Sequence, residues 1–330
     1  MERNGIAMVG NILTDNVKKV ASYPEKGMLA TITSETLGVG GSVPNSGIDL
    51  KKLDKNLRVC AYGKVGNDDK GRFVIDQMKK EGLETDGVII SNTAPTSYSD
   101  VITVESTGER TFFHNRGANA EFCPEDVDLD KIDCKILHAG YLLLLDNFDK
   151  YENGTTPMAN FLKKAQEKGL KTSIDVVSES SGNFHRVVTA SLPYCDYVII
   201  NEVEAGEVVG VSPRNQDGTL NEDNVKTIME KLMAYGVKEK VVVHCPEKGF
   251  CLDKSGKFTG VASIKLPKGF IKGSVGAGDA FCAGTLYGIY HGYSDSQMLE
   301  FANLVAVNCL SAPDSVSGVT SIDKLKDVLK

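Results

Sequence analysis

Residues 272–284, KGSVGAGDAFCAG, set Gly273, Gly276, Gly278 and the acid Asp279 in front of an apolar run. Two readings suit that pattern. Aspartate is a favoured helix N-cap, and glycines ahead of it make a turn. In the other reading, the bare amides of Gly276, Ala277 and Gly278 and the helix dipole gather an anion. Asp279 then accepts a proton from a hydroxyl attacking a phosphoryl group, while the amides stabilise the charge that builds opposite.

The second reading needs partners, and the chain supplies them in order. GVGGSVPNSG (38–47) offers Gly40, Gly41 and Asn45, a tight turn that lets a polar ligand approach the backbone before a helix. VGNILTDN (9–16) delivers Asp15 just past the first strand, where a carboxylate can bind sugar hydroxyls. IINEVEAGEV (199–208) places Asn201 and Glu204 one helical turn apart at a strand end. That spacing suits a water-mediated hold on Mg²⁺ and nucleotide phosphates.

The elements that must position these residues alternate along the chain. Strands are predicted at 5–10, 57–66, 135–145, 171–177, 196–201 and 240–245. Helices are predicted at 68–82 with Asp68 as cap, 157–169, 221–236, about 277–291, 295–311 and 321–329. The rhythm predicts an α/β fold, a doubly wound, mostly parallel sheet flanked by helices, which binds ligands outside the carboxyl ends of its strands. Two stretches break it, at about 14–40 and 93–119. Both are Thr/Ser-rich and alternate polar with apolar residues, which predicts half-exposed antiparallel strands. They are expected to pair into a small β-strand lid on a single domain spanning 1–330.

Composition excludes several classes. Acids outnumber bases by 44 to 37, a net charge of −7, so no nucleic acid or anionic membrane is expected as partner. The eight cysteines form no C-x-x-C pair, and most sit in apolar strings such as VVVHC, which reads as reduced and packed in a cytoplasmic protein. No apolar run is long enough for a signal peptide or a membrane span.

Four motifs in this order (Gly40-Gly41-x-x-x-Asn45, GKVGNDDKGRF, Asn201-x-x-Glu204 and GAGDAFCAG) resemble the ribokinase-like (PfkB) family of carbohydrate and nucleoside kinases, over essentially the whole chain. The resemblance implies an ATP-dependent kinase acting on a hydroxyl of a small sugar or sugar acid, with a lid closing over the sugar. It implies Asp279 as general base and Gly276, Ala277 and Gly278 as anion hole. Asn201 and Glu204 would position phosphates and Mg²⁺, with Glu204 reaching the ion through water. Asp15, Gly41, Asn45 and Asp146 would contact substrate, Gly249 the nucleotide and Asn303 the adenine. Arg116, in FFHNRGANA with Asn119, offers a guanidinium to an acidic substrate. Its other reading is a solvated arginine in a turn, and that of Asn303 is a polar helix residue near the surface. Lids with exposed strand edges also suggest a homodimer.

The chain departs from the family pattern in three places. Gly273 stands where K⁺-activated members carry an aspartate, so K⁺ dependence is open, with Asp314 and Ser315 as substitutes. His244 and Pro246 occupy the usual phosphate turn, and proline has no N–H to offer. Leu13 and Ser42 replace an asparagine and a lysine of ribokinase itself, which argues against ribose by default. Among the remaining residues, His138 reads as a buried core histidine and Asp175 as a supporting residue near the phosphate site. Two other functions stay open. A nucleoside kinase would use Phe112, Phe113 and Tyr98 to sandwich a base, and a non-catalytic sugar or nucleotide sensor could keep the fold.

Overall fold

The computed structural model describes residues 3–179 and 182–329. The chain opens with β1 (Ile6–Gly10), β2 (Leu13–Val20) and β3 (Ile32–Gly40), then α1 (Ser42–Leu53) and β4 (Val59–Gly66). Next come α2 (Asp69–Lys80), β5 (Glu84–Ser91), β6 (Tyr98–Val104) and β7 (Arg110–Asn115). The middle holds β8 (Ile136–Leu142), α3 (Asp146–Asp149), α4 (Pro157–Glu167), β9 (Lys171–Val176) and α5 (Phe184–Ser191). It continues through β10 (Tyr197–Asn201), α6 (Glu202–Val209), α7 (Glu222–Ala234) and β11 (Lys240–His244). The end carries β12 (Lys248–Asp253), β13 (Phe258–Ala262), α8 (Ala277–Tyr290) and α9 (Asp295–Leu310). The last predicted helix is a 3₁₀ segment, Ile322–Leu329.

Nine strands form the main sheet in the order β13-β12-β11-β10-β9-β8-β1-β4-β5. From β11 to β5 every neighbouring pair is parallel, and β12 and β13 add an antiparallel edge. A parallel sheet with helices on both faces buries both sides of each strand, so its strands read as continuous apolar runs. β1 shows the consequence: Ala7 and Val9 enter one core, Ile6 and Met8 the other. The first core lies under α4, α5, α6 and α7, the second under α1, α2, α8 and α9.

Local signals place the helix ends. Asp68 caps α2 by accepting from Gly71 N at 2.8 Å, and Thr156 caps α4 with Pro157 in its first turn. Among the described residues no helix is long and apolar enough to cross a membrane.

The two interrupting stretches do pair, as a separate sheet in the order β3-β2-β6-β7. Its outer pairs are antiparallel, but the central pair, β2 with β6, is parallel. Both strands are first strands of insertions leaving the main sheet, and they run side by side in the same direction. A hairpin cannot make such a pair, so alternation within each stretch did not reveal it.

Candidate active site

A cleft of about 860 Å³ opens between the small sheet and the carboxyl ends of the main strands. Asp279 lies in its wall, 7 % exposed, at the third position of α8. The cap position belongs to Gly276 in the left-handed region (φ 83°), and no side chain caps the helix. Asp279 is therefore no cap. Its carboxylate accepts from Asn45 Nδ2 at 3.0 Å and from the Tyr141 hydroxyl at 2.9 Å to each oxygen. Burial, with the charges of Asp175 and Asp15 adding to it, pushes its pKa up to about 8 against those hydrogen bonds.

Gly276 and Gly278 line the cleft; Ala277, between them, starts the helix without lining it. A Cβ at Gly276 would lie 2.6 Å from Ser315, so packing and backbone both demand glycine. A Cβ at Gly278 would meet only the His244 ring, at an ordinary 3.5 Å. The protein itself has no need of glycine there.

Across the cleft, Asn201 caps α6 and Glu204 returns the bond to the Asn201 amide, a capping box. Glu204 also accepts from Ser178 Oγ at 2.7 Å. Burial raises its pKa to about 7, and no cation pairs with it among the described residues. Asp15 sits on β2, its pKa raised by burial to about 7 and partly restored by Ser99. Gly40 makes room for it: a Cβ there would be 2.6 Å from Asp15 Oδ2. Gly41, at φ 90°, precedes α1 and would strike Asn11 O at 2.4 Å if it carried a side chain. Both ends of the Asn45 amide are engaged, since its Oδ1 accepts from Ser315 Oγ at 3.0 Å. Asn45 lines the cleft and holds Asp279 there.

Arg116 reaches the cleft, but its Nη1 is paired with Asp146 at 2.8 Å; Asp146 itself stands off the cleft lining at the start of α3. Asn119 is structural, accepting from Ile12 N at 3.2 Å. Two further predicted residues, besides Ala277 and Asp146, stay outside the cleft. Gly249 is not in a turn but in β12, paired with His244 and packed against Phe281 and Leu299. Asn303 lines a second cavity of about 630 Å³, between β13 and α9, and bonds to Ala262 O at 3.3 Å.

A profile of the pfkB family of carbohydrate kinases matches residues 3–320. The chain belongs to that family. It is accordingly a phosphotransferase of carbohydrates. It is 24 % identical over 331 residues to a ribokinase of Schizosaccharomyces pombe, covering 96 % of each chain. It is 22 % identical to a 5-dehydro-2-deoxygluconokinase of Clostridium perfringens, covering 88 % of this chain and 84 % of the other. The structure of Arabidopsis thaliana ribokinase complexed with ribose and ATP superposes with a TM-score of 0.81 at 20 % identity, covering 99 % of both. That likeness concerns the fold.

The departures of this pfkB member have physical reasons. His244 ends β11 on the cleft wall, packed at a tilt of 33° against Phe281 with ring centroids 4.7 Å apart. Burial lowers its pKa to about 4, so the ring is neutral near pH 7. Pro246 serves the tight β11–β12 connection, where Cys245 N bonds Lys248 O at 2.9 Å. A side chain at Gly273 has no room, its Cβ falling 2.8 Å from the carbonyl oxygens of both Ala312 and Pro313. Asp314, the offered substitute, spends Oδ1 on the amides of Val316 and Ser317.

Sequence reasoning missed Tyr141, which stands at positive φ (58°) and contacts Asp279 across 138 residues. A strained non-glycine residue costs on the order of 1–3 kcal/mol and persists only where surroundings enforce it. Here they do, since Asp175 accepts from its amide while Asp279 takes its hydroxyl. Its place at the carboxyl end of a central strand was the one available signal. Arg110 and His114, on the cleft-lining side of β7, were missed as well.

Proposed function

We propose that the protein transfers the γ-phosphoryl group of ATP to a hydroxyl of a small sugar acid, with Asp279 as general base. The observation that carries the reading is Asp279 itself: buried, bonded by Asn45 and Tyr141, and in the first turn of a helix whose uncapped start faces the same cleft. A carboxyl with a pKa near 8 is ionised, and so able to take a proton, at mildly alkaline pH. The amides of Gly276, Ala277 and Gly278 would face the charge that builds on the transferring group.

The acid character of the acceptor rests on β7. Arg110, Phe112 and His114 alternate along it and line the cleft, with Arg116 just beyond. Arg110 Nε and His114 Nε2 are buried with no hydrogen-bond partner among the described residues. Unpaired buried polar groups are costly, and acidic or hydroxyl oxygens of a ligand would satisfy them. The name of the Clostridium gluconokinase relative points the same way. Asp15 and the Gly41 backbone, which line the cleft, would hold sugar hydroxyls.

Glu204 fits a divalent cation: it is a buried carboxyl without a counter-charge, at the end of the cleft where phosphates would lie. It would hold Mg²⁺ through water, and the ion would neutralise the phosphates. Asn201 shapes that end of the cleft by capping α6.

A base sandwich, which a nucleoside acceptor needs, is not assembled. Phe112 faces the cleft, Phe113 alternates away, and Tyr98 carries Lys70 Nζ 3.6 Å above its ring. A sensor would have no use for a general base, so the hydrogen bonds held on Asp279 weigh against that reading. The test is ADP release over a panel of neutral sugars, sugar acids and nucleosides, repeated with Arg110→Met. A sugar acid should be preferred, and R110M should raise its KM at least about 10-fold while leaving neutral sugars unchanged. Faster turnover of a nucleoside or neutral sugar by the parent would overturn the assignment.

A further inference from the structure

His138, Asp175 and Cys282 form the one group of three or more potential metal-ligating side chains found among the described residues. They come from β8, β9 and α8 and were not brought together by sequence reasoning. All three are buried. Asp175 and Cys282 also reach the cleft wall, so the cluster has an entry path. Cys282 lies one turn of α8 beyond Asp279, on the same helix face.

The spacing is that of a coordination sphere. His138 Nε2 is 3.4 Å from Asp175 Oδ2 and 3.7 Å from Cys282 Sγ. A tetrahedral ion with ligand bonds of about 2.0–2.3 Å needs edges of about 3.3 Å for N···O and about 3.6 Å for N···S. The ligand atoms all lie within 4.8 Å of one another. His138 Nδ1 lies 3.0 Å from Ser173 Oγ. Donation there leaves the Nε2 lone pair aimed at the other two groups, as metal-binding histidines are oriented.

We propose that His138 Nε2, Asp175 Oδ2 and Cys282 Sγ form a three-ligand site for one borderline-soft divalent cation, Zn²⁺ by donor type. The fourth position is open to water or a cleft ligand. One nitrogen, one sulfur and one oxygen select Zn²⁺ or Co²⁺ over Mg²⁺, which takes oxygen ligands. Three protein ligands with one open position are the pattern of accessible rather than purely structural sites. On binding, the Cys282 thiol gives its proton to solvent and becomes the thiolate ligand. The site is linked to Asp279 through Tyr141, whose amide donates to Asp175 and whose hydroxyl donates to Asp279. Occupancy therefore disturbs Asp279, and Zn²⁺ is an inhibitor of whatever chemistry Asp279 performs.

The test is direct and independent of the sugar assignment. Co²⁺ is titrated into the full chain in excess Mg²⁺, followed by its thiolate-to-cobalt charge-transfer absorption. The expected result is a band saturating at one Co²⁺ per chain, bleached by Zn²⁺. Loss of an outer-shell partner alone costs a metal site about 10–100-fold in affinity. Cys282→Ser should therefore abolish the band and weaken Zn²⁺ binding at least about 100-fold. Cys245→Ser, which removes a cysteine elsewhere in the core, should leave both intact. His138→Gln is a second ligand variant, read by Zn²⁺ calorimetry with circular dichroism as a check on folding. Absence of a thiolate band in the parent, or a band that survives Cys282→Ser, overturns the proposal.

Discussion

Asp279→Asn tests the central assignment on two axes that a merely structural residue would move together. The native carboxyl holds its proton to about pH 8, whereas an unfolded aspartate releases it near 3.8. For an acid whose folded pKa is raised, the associated stability is fully present below the unfolded value. It is lost progressively as pH rises toward the folded value. At pH 7 the chain has therefore lost stability over roughly three pH units, at about 1.4 kcal/mol each. The isosteric amide never ionises and keeps acceptor and donor atoms for Asn45 and Tyr141. The variant should be more stable than the parent at pH 7 by about 2–4 kcal/mol, a Tm gain of about 3–6 °C for a chain of this length. That gain should shrink toward zero as pH falls to 4. In the same preparation kcat should drop at least about 10²-fold, because the base is gone. Scanning calorimetry from pH 4 to 8 and ADP release read the two axes. Unchanged turnover would remove Asp279 from the chemistry. A lower Tm at pH 7, or a gap independent of pH, would refute the reasoning from its buried, raised pKa.

Gly278→Ala meets only the His244 ring at 3.5 Å, so its Tm should match the parent while the added methyl crowds the helix start and lowers kcat about 10-fold. Gly276→Ala, by contrast, forces Cβ to 2.6 Å from Ser315 at φ 83° and should lose at least about 1–3 kcal/mol of stability in urea melts. Because Gly273 leaves no room for an acid and Asp314 commits its Oδ1 to its own loop, replacing K⁺ by Na⁺ should leave kcat unchanged; strong K⁺ activation would contradict this. We propose that the small sheet pairs with a second copy, since Leu37 and Phe113 are 45 % and 55 % exposed on it. The parent should run as a dimer in light scattering and Phe113→Asp as a monomer.

Features set by neighbours a few residues apart were legible in the sequence. The βα alternation, the Asp68 and Thr156 caps and the glycine-flanked acid follow from periodicity and local backbone preference, and α2, α4, α7, α8 and α9 lie where these predict. β5, β12 and β13 escaped. β5 exposes one face, and β12 and β13 form an antiparallel edge that departs from the βα rhythm. What surrounds Asp279 was settled elsewhere. Asn45 is 234 residues away and Tyr141 138, and their convergence depends on strand order. Gly249 and Asn303 matched by position yet face a packed strand and a separate cavity. The parallel meeting of β2 with β6, the basic side of β7 and the raised pKa of the buried acid arise only once distant segments exclude water together. Local preference acts over a helical turn, whereas desolvation and charge act through space, so tertiary packing alone decided them.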